Sequence, residues 1–75
     1  MKMEQVLDTE TYPYRLTIGD ATSVARTYDF KTLDHAEQCA RAKLGCNWGD
    51  RRTISVATFY EWDGVDHIFL SEMEW

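Results

Sequence analysis

The chain has 75 residues, 44% of them hydrophobic and 28% charged, with a net charge of −5. This composition predicts a single globular domain (residues 1–75) with a small core, and it excludes a disordered chain. An acidic chain lacks the basic face that direct nucleic-acid binding needs, and no apolar run is long enough to cross a membrane. The first residues also lack the apolar region of a signal peptide, so we expect a soluble cytoplasmic protein.

Residues 1–11 show no clean periodicity, which predicts a mobile arm or a short edge strand. From Tyr12 onward the sequence alternates, with Tyr14, Leu16 and Ile18 on one side of a half-buried strand. A turn at Gly19 follows, and then a second strand over residues 23–30 that is rich in Thr, Val and Tyr. The two strands predict an antiparallel hairpin.

A single short helix is predicted after this hairpin. Thr32 is a suitable N-cap residue, and an apolar stripe made mainly of alanine recurs at helical spacing along Leu33, Ala36, Ala40 and Leu44. Gly45 ends the helix. A contact face made of alanine allows the helix to lie close against a sheet.

Residues 46–52 predict a loop that contains Trp48. This indole is either a plug over the end of the core or an exposed anchor, and we favour the plug because large apolar side chains in loops usually turn inward. Arg51 and Arg52 are expected to form a solvated pair at the surface.

The C-terminal part predicts the strongest hairpin in the chain. Residues 53–60 are all β-branched, aromatic or small, which predicts a strand over residues 53–62. Asp63 and Gly64 favour a tight two-residue turn, and residues 65–75 form the second strand of the hairpin. That turn would place Glu61 opposite Asp66 and Phe59 opposite Ile68. The first predicted face, expected to pack on the helix, carries Ile54, Val56, Thr58, Tyr60, Trp62, Val65, His67, Phe69, Ser71 and Met73. The second predicted face carries Ser55, Ala57, Phe59, Glu61, Asp66, Ile68, Leu70, Glu72 and Glu74.

All of the unbalanced charge lies in this hairpin. Residues 1–58 carry eight acids and eight Lys or Arg, whereas residues 59–75 add five acids and no Lys or Arg. Two acids directly opposite each other cost stability, which favours a function for Glu61 and Asp66 beyond folding. The candidate partner-binding site has an apolar centre and an acidic rim: Phe59, Glu61, Asp63, Asp66, Ile68, Leu70, Glu72 and Glu74.

Two interpretations of this surface are open. It is either a docking surface for a positively charged protein, or a negative surface kept for solubility whose apolar patch is covered by the N-terminal arm or by a second copy. Nucleic-acid-handling proteins carry the largest basic grooves in a cell, and a small acidic domain can occupy such a groove as a decoy.

Catalytic and metal signals are weak. His35, Cys39, Cys46 and His67 would form a Cys2His2 set on paper, but the closely paired ligands of structural zinc sites are missing. A Cys39–His35 dyad is also disfavoured, because a helical Cys on an alanine-rich face is normally part of the core. We expect two reduced thiols, no metal, no cofactor and no enzymatic activity.

The elements together predict an α+β fold, in which one helix packs on one face of a four-stranded antiparallel sheet in the chain order β-β-α-β-β. In size, acidity and element order the chain resembles the small anti-CRISPR proteins of bacteriophages. This resemblance implies non-enzymatic inhibition by direct binding to a CRISPR effector complex or another nucleic-acid-handling protein, in the host cytoplasm if the protein is phage-encoded. The alternative is a homodimeric cellular interaction module with no inhibitory role.

Overall fold

The computed structural model describes residues 11–49 and 52–75. Within these ranges the predicted α+β class is confirmed, with one helix and a four-stranded antiparallel sheet. The strands of the main sheet lie in the spatial order β2-β1-β5-β6. The elements are β1 Tyr14–Gly19, β2 Val24–Phe30, α1 Leu33–Lys43, β3 Asn47–Trp48, β4 Arg52–Thr53, β5 Val56–Trp62 and β6 His67–Glu74. The predicted N-terminal arm, apart from Thr11, falls outside the described residues.

The N-terminal hairpin forms as predicted, with β1 and β2 antiparallel. The carboxylate of Asp20 organises its turn by accepting hydrogen bonds from the Thr22 hydroxyl at 2.8 Å and from the amides of Thr22 and Ser23. These bonds, the Thr22 hydroxyl first, lower the pKa of Asp20 below its usual value. The Asp20 amide also donates to the Ser23 carbonyl at 3.0 Å, and Arg52 donates to the Ser23 hydroxyl at 3.0 Å, so the turn is tied to β4 as well as to its own backbone.

Helix α1 has the predicted cap and the predicted contact face. The His35 amide donates to the Thr32 hydroxyl at 3.2 Å, and Ala36 and Ala40 are fully buried. After the helix, Gly45 adopts a φ of +87°, the left-handed region in which glycine is favoured. Within the described part of the chain, no helix is long and apolar enough to cross a membrane.

The core lies between α1 and the inner face of the sheet. In β1 and β5, Leu16 pairs with Phe59 and Ile18 pairs with Ala57, so these four side chains share one face beneath the helix. The buried residues of this core are Leu16, Ile18, Ala36, Ala40, Ile54, Ala57 and Phe59. The helix packs mainly over β1 and β2, and β5 contributes Ala57 and Phe59 to the core beneath it.

The segment predicted as a loop contains a short second sheet. β3 and β4 pair antiparallel, with Trp48 opposite Arg52, and Ile54 and Ser55 separate β4 from β5. Trp48 packs against the core, which confirms the predicted plug. The guanidinium of Arg52 lies 5.1 Å from the centre of the Trp48 ring, so this arginine is held against the indole. Arg51, its predicted surface partner, lies outside the described residues.

Candidate partner-binding surface

The turn of the C-terminal hairpin is wider than the sequence predicts. The carboxylate of Asp63 accepts hydrogen bonds from the amides of Val65 and Asp66, both at 2.8 Å, and Trp62 pairs with His67. Four residues, 63–66, therefore separate the paired strand ends, and the predicted two-residue turn is wrong. The wider turn forms because the Asp63 side chain supplies a local acceptor for two backbone amides.

The same hydrogen bonds give Asp63 a structural role. They lower the pKa of its carboxyl, with the Asp66 amide making the largest contribution and the Val65 amide the next. Asp63 was predicted as part of the acidic rim, and its presence is explained at least as well by the turn. The carboxylate remains exposed, so the turn also keeps its negative charge at the tip of the hairpin.

A β-bulge in β6 changes which side chains share a face. Tyr60 pairs with Phe69, but the neighbouring Phe59 pairs with Ser71, which leaves Leu70 as an extra residue without an opposite partner. Because side chains alternate between the two faces of a strand, this one residue moves Glu72 and Glu74 to the opposite face from the one predicted.

Three predicted features of the hairpin are consequently wrong. Phe59, expected at the centre of an exposed patch, is only 1% exposed and lies in the core beneath α1. Glu61 lies opposite Ile68 and not opposite Asp66, which belongs to the turn, so the predicted like-charge opposition is absent from the pairing. Along β5 the second predicted face, and not the first, faces the helix, because Ala57 and Phe59 share a face with the buried residues of β1.

The outer surface of the hairpin combines six residues of the first predicted face with Glu72 and Glu74 of the second. We use "outer face" for the side chains of β5 and β6 that point away from α1: Val56, Thr58, Tyr60, Trp62, His67, Phe69, Glu72 and Glu74. The pairing brings Thr58 opposite Glu72 and Val56 opposite Glu74, so acids border one end of the face.

Four aromatic rings occupy the other end of the outer face. The Tyr60 and Phe69 rings meet edge to face with centroids 6.3 Å apart, and the Trp62 and His67 rings lie 5.0 Å apart. Phe69 is 57% exposed, whereas the His67 Nε2 atom is buried and has no hydrogen-bond partner among the described residues. We call Tyr60, Trp62, His67 and Phe69 the aromatic row. Along β6 this row is followed by the carboxylates of Glu72 and Glu74.

On the same side of the sheet, β1 and β2 carry one cation and one acid that neutralise each other. Arg15, opposite Tyr60, forms an ion pair with Asp29 across β1 and β2, with Nε and Oδ1 3.0 Å apart. The Asp29 side chain is almost fully buried in this pair. The net negative charge of the outer face therefore comes from Glu72 and Glu74 on β6.

β6 is also accessible from the helix side and along its edge. It is the last strand of the main sheet, and Ile68 and Leu70 are 47% and 38% exposed. The prediction placed these two residues at the surface, and the structure does so, although without Phe59 between them. Among the described strands only β5 pairs with β6, and an edge strand with exposed apolar side chains is open to pairing with another chain.

Sequence reasoning missed the aromatic row as a surface feature. The side chains Tyr60, Trp62 and Phe69 were assigned to the helix contact because they form the larger apolar face. The small side chains of Ala36 and Ala40 argued against that assignment, since such a narrow helical face covers little more than one pair of strands. The three aromatic side chains have more surface than this face can cover.

The histidines and cysteines do not assemble into a site. Among the described residues, no group of three or more His, Cys, Asp or Glu side chains is placed to hold a metal ion. Both cysteines are free thiols. Burial raises the pKa of Cys39, and the exposed Cys46 donates through Sγ to the Ala42 carbonyl at 3.4 Å.

Comparison with known proteins gives no family model, no curated protein and no solved structure that matches this chain. A functional assignment has to come from the chemistry of the described surfaces.

Proposed function

We propose that this protein is a non-enzymatic inhibitor that docks through the outer face of its β5–β6 hairpin on a basic protein surface. The observation that carries the proposal is the aromatic row beside Glu72 and Glu74, on the face of the hairpin that points away from α1. In this row Phe69 is exposed, and Tyr60 and Trp62 are half-buried. A contiguous apolar patch that reaches the surface typically marks an interaction site. All of its rings lie within residues 59–75, the segment that holds the whole net charge of −5.

The chemistry of this face suits arginine and lysine side chains. A guanidinium stacks on an aromatic ring and also forms paired hydrogen bonds with a carboxylate, and Tyr60, Phe69, Glu72 and Glu74 offer both groups on neighbouring positions. Aromatic residues at the centre of an interface commonly supply most of its binding energy. The acids would add steering of the encounter and a dependence on salt.

A nucleic-acid groove is the basic surface that best fits such a ligand. Grooves that bind phosphates concentrate arginine and lysine, and an acidic hairpin that enters one excludes the nucleic acid by direct competition. The proposed partner is accordingly a nucleic-acid-handling protein, and a CRISPR effector complex is the member of that class that the resemblance to anti-CRISPR proteins suggests. No direct contact with nucleic acid is proposed.

The test first captures partner proteins and then measures whether this protein competes with nucleic acid for them. The tagged protein is used as bait in a nuclease-treated bacterial lysate, and each captured protein is purified and tested for nucleic-acid binding by fluorescence anisotropy. We expect this protein to displace the nucleic acid at a one-to-one ratio and less effectively at high salt. Captured proteins that bind no nucleic acid, or that bind it equally well with this protein present, would contradict the inhibitory function.

Two charge reversals with the same change in net charge locate the surface. Glu72→Lys with Glu74→Lys alters the outer face, whereas Glu61→Lys with Asp66→Lys alters the inner face and the turn. Both pairs weaken long-range steering alike, so a contact at the outer face predicts a roughly ten-fold or greater loss of affinity for the first pair relative to the second. Equal losses would mean that the acids act only at a distance.

The free edge of β6 favours one alternative, a homodimer. Ile68 and Leu70 lie exposed beside a strand edge that pairs with no other described strand, and two copies could extend the sheet through it. Sedimentation velocity over a wide concentration range distinguishes the two: a dimer that Leu70→Asp dissociates supports the homodimeric module, and a monomer at all concentrations excludes it.

A further inference from the structure

A cleft lies on the helix side of the sheet, remote from the outer face. It has a volume of about 500 Å³ and opens between β2, the C-terminal end of α1 and β3. This volume is within the range of pockets that bind small molecules. Its apolar walls include Ile18 and Ile54, which belong to the core, and its aromatic side chains are Tyr28 and Trp48.

The charged side chains of the cleft are cations. Arg26 from β2 and Lys43 from α1 line it, and among the described lining residues there is no carboxylate. Within residues 11–49 and 52–75, neither cation forms an ion pair, whereas Arg15, Arg41 and Arg52 each have an acidic partner. In a chain with a net charge of −5, two uncompensated cations that face one cleft are a local exception.

The aromatic walls also carry a neutral polar group. The Tyr28 hydroxyl belongs to the lining side chains and can donate to or accept from a ligand. The indole Nε1 of Trp48 is closed off from solvent, so Trp48 contributes its ring to the cleft and not its N–H.

The end of α1 does not oppose an anion as strongly as a bare helix C-terminus would. Its last carbonyls are the negative end of the helix dipole. Those of Ala42 and Lys43 already accept from the Cys46 thiol at 3.4 Å and from the Cys46 amide at 3.0 Å, and that of Ala40 accepts from the Leu44 amide. The Lys43 side chain itself supplies a compensating positive charge.

We propose that this cleft binds a small aromatic anion: a planar ring system that carries one carboxylate, sulfonate or phosphate group. Arg26 and Lys43 hold the anionic group through charge-assisted hydrogen bonds, and the apolar and aromatic walls enclose the ring. Neither of the two binding surfaces includes residues of the other, so the cleft is independent of the proposed docking function.

Binding of anilinonaphthalene sulfonate, an aromatic anion of suitable size, tests the proposal. Its fluorescence is titrated with the protein and compared with that of phenylnaphthylamine, which has the same rings and no charge. Amide chemical-shift mapping by NMR then locates the bound dye. We expect saturable binding of the sulfonate, shifts at β2, β3 and the end of α1, and binding of the neutral analogue that is weaker by roughly ten-fold.

Two double variants with the same charge change separate the cleft from general electrostatics. Arg26→Ala with Lys43→Ala should weaken sulfonate binding roughly ten-fold or more, since both charge-assisted contacts are lost. Lys31→Ala with Arg41→Ala removes two cations that do not line the cleft and should change the affinity by less than about two-fold.

The proposal is overturned if the two double variants bind alike, if the neutral analogue binds as tightly as the sulfonate, or if the shifts cluster on Ile68, Phe69 and Leu70. These outcomes leave the docking function of the outer face untouched, because none of the cleft variants alters a residue of β5 or β6.

Discussion

Phe59 and Phe69 provide a direct test of which face of the hairpin packs on the helix. They lie on adjacent strands, and they are 1% and 57% exposed. Truncation of a fully buried Phe costs about 3–5 kcal/mol, from the lost transfer free energy and the cavity that remains. Truncation of Phe69 removes the edge contact with Tyr60, which is worth about 0.5–1.5 kcal/mol, and little buried area.

The difference is large relative to the total stability. A 75-residue domain is stable by about 4–11 kcal/mol, and 1 kcal/mol shifts its melting temperature by about 4–8 °C. We therefore expect Phe59→Ala to lower the melting temperature by at least about 12 °C or to unfold the protein, and Phe69→Ala to lower it by about 2–12 °C, at least two-fold less at the same conversion.

Thermal and urea denaturation followed by circular dichroism measure both variants. If Phe59→Ala is too unstable to purify, Phe59→Leu keeps most of the volume and should cost about 1–1.5 kcal/mol. A Phe59→Ala variant with wild-type stability, or a larger loss for Phe69→Ala, would refute the assignment of faces. Such a result would restore the arrangement in which Phe59 faces solvent.

Three further predictions concern local features. Gly45→Ala should destabilise more than Gly64→Ala, because both glycines have positive φ but only at Gly45 would a Cβ meet the C-terminal indole, at 2.6 Å; urea midpoints compare them. The lowered pKa of Asp63 means that its stabilisation is complete above the usual pKa of 3.8 and is lost as pH falls through the lowered value. Asp63→Asn keeps an acceptor but does not titrate, so its urea midpoint should fall less than that of wild type between about pH 5 and pH 2.5; an identical fall would contradict this. Iodoacetamide should label the exposed Cys46 before Cys39, whose burial raises its pKa, and mass spectrometry of digested protein would reveal the reverse order.

The N-terminal hairpin and the helix could be predicted because their signals are local. Thr32 caps the helix through its own hydroxyl, and the alanine spacing fixes which helical face is buried. Alternation in β1 places Leu16 and Ile18 on one side whatever the strand pairs with. The short β3–β4 ladder was missed, since two-residue strands leave no periodicity.

The composition of the partner surface was predictable only in part. The concentration of charge in residues 59–75 is a property of the sequence, as is the apolar character of β6. The exposure of Ile68 and Leu70 agrees with the prediction, whereas Phe59 was assigned to the wrong environment. The aromatic row takes the place of Phe59 at the surface. Its residues are evident in the sequence, but their exposure on the outer face is not.

The sequence by itself determined the class of fold, the helix and its buried face, and the location of the net charge, because each follows from residues close together in the chain. Only the tertiary structure decided which side of β5 is buried, since that depends on the pairing of Phe59 with Leu16 across the sheet. It also decided where the acids point. The wider turn at Asp63 and the bulge at Leu70 set the register of β6, and a single extra residue carries Glu72 and Glu74 to the opposite face.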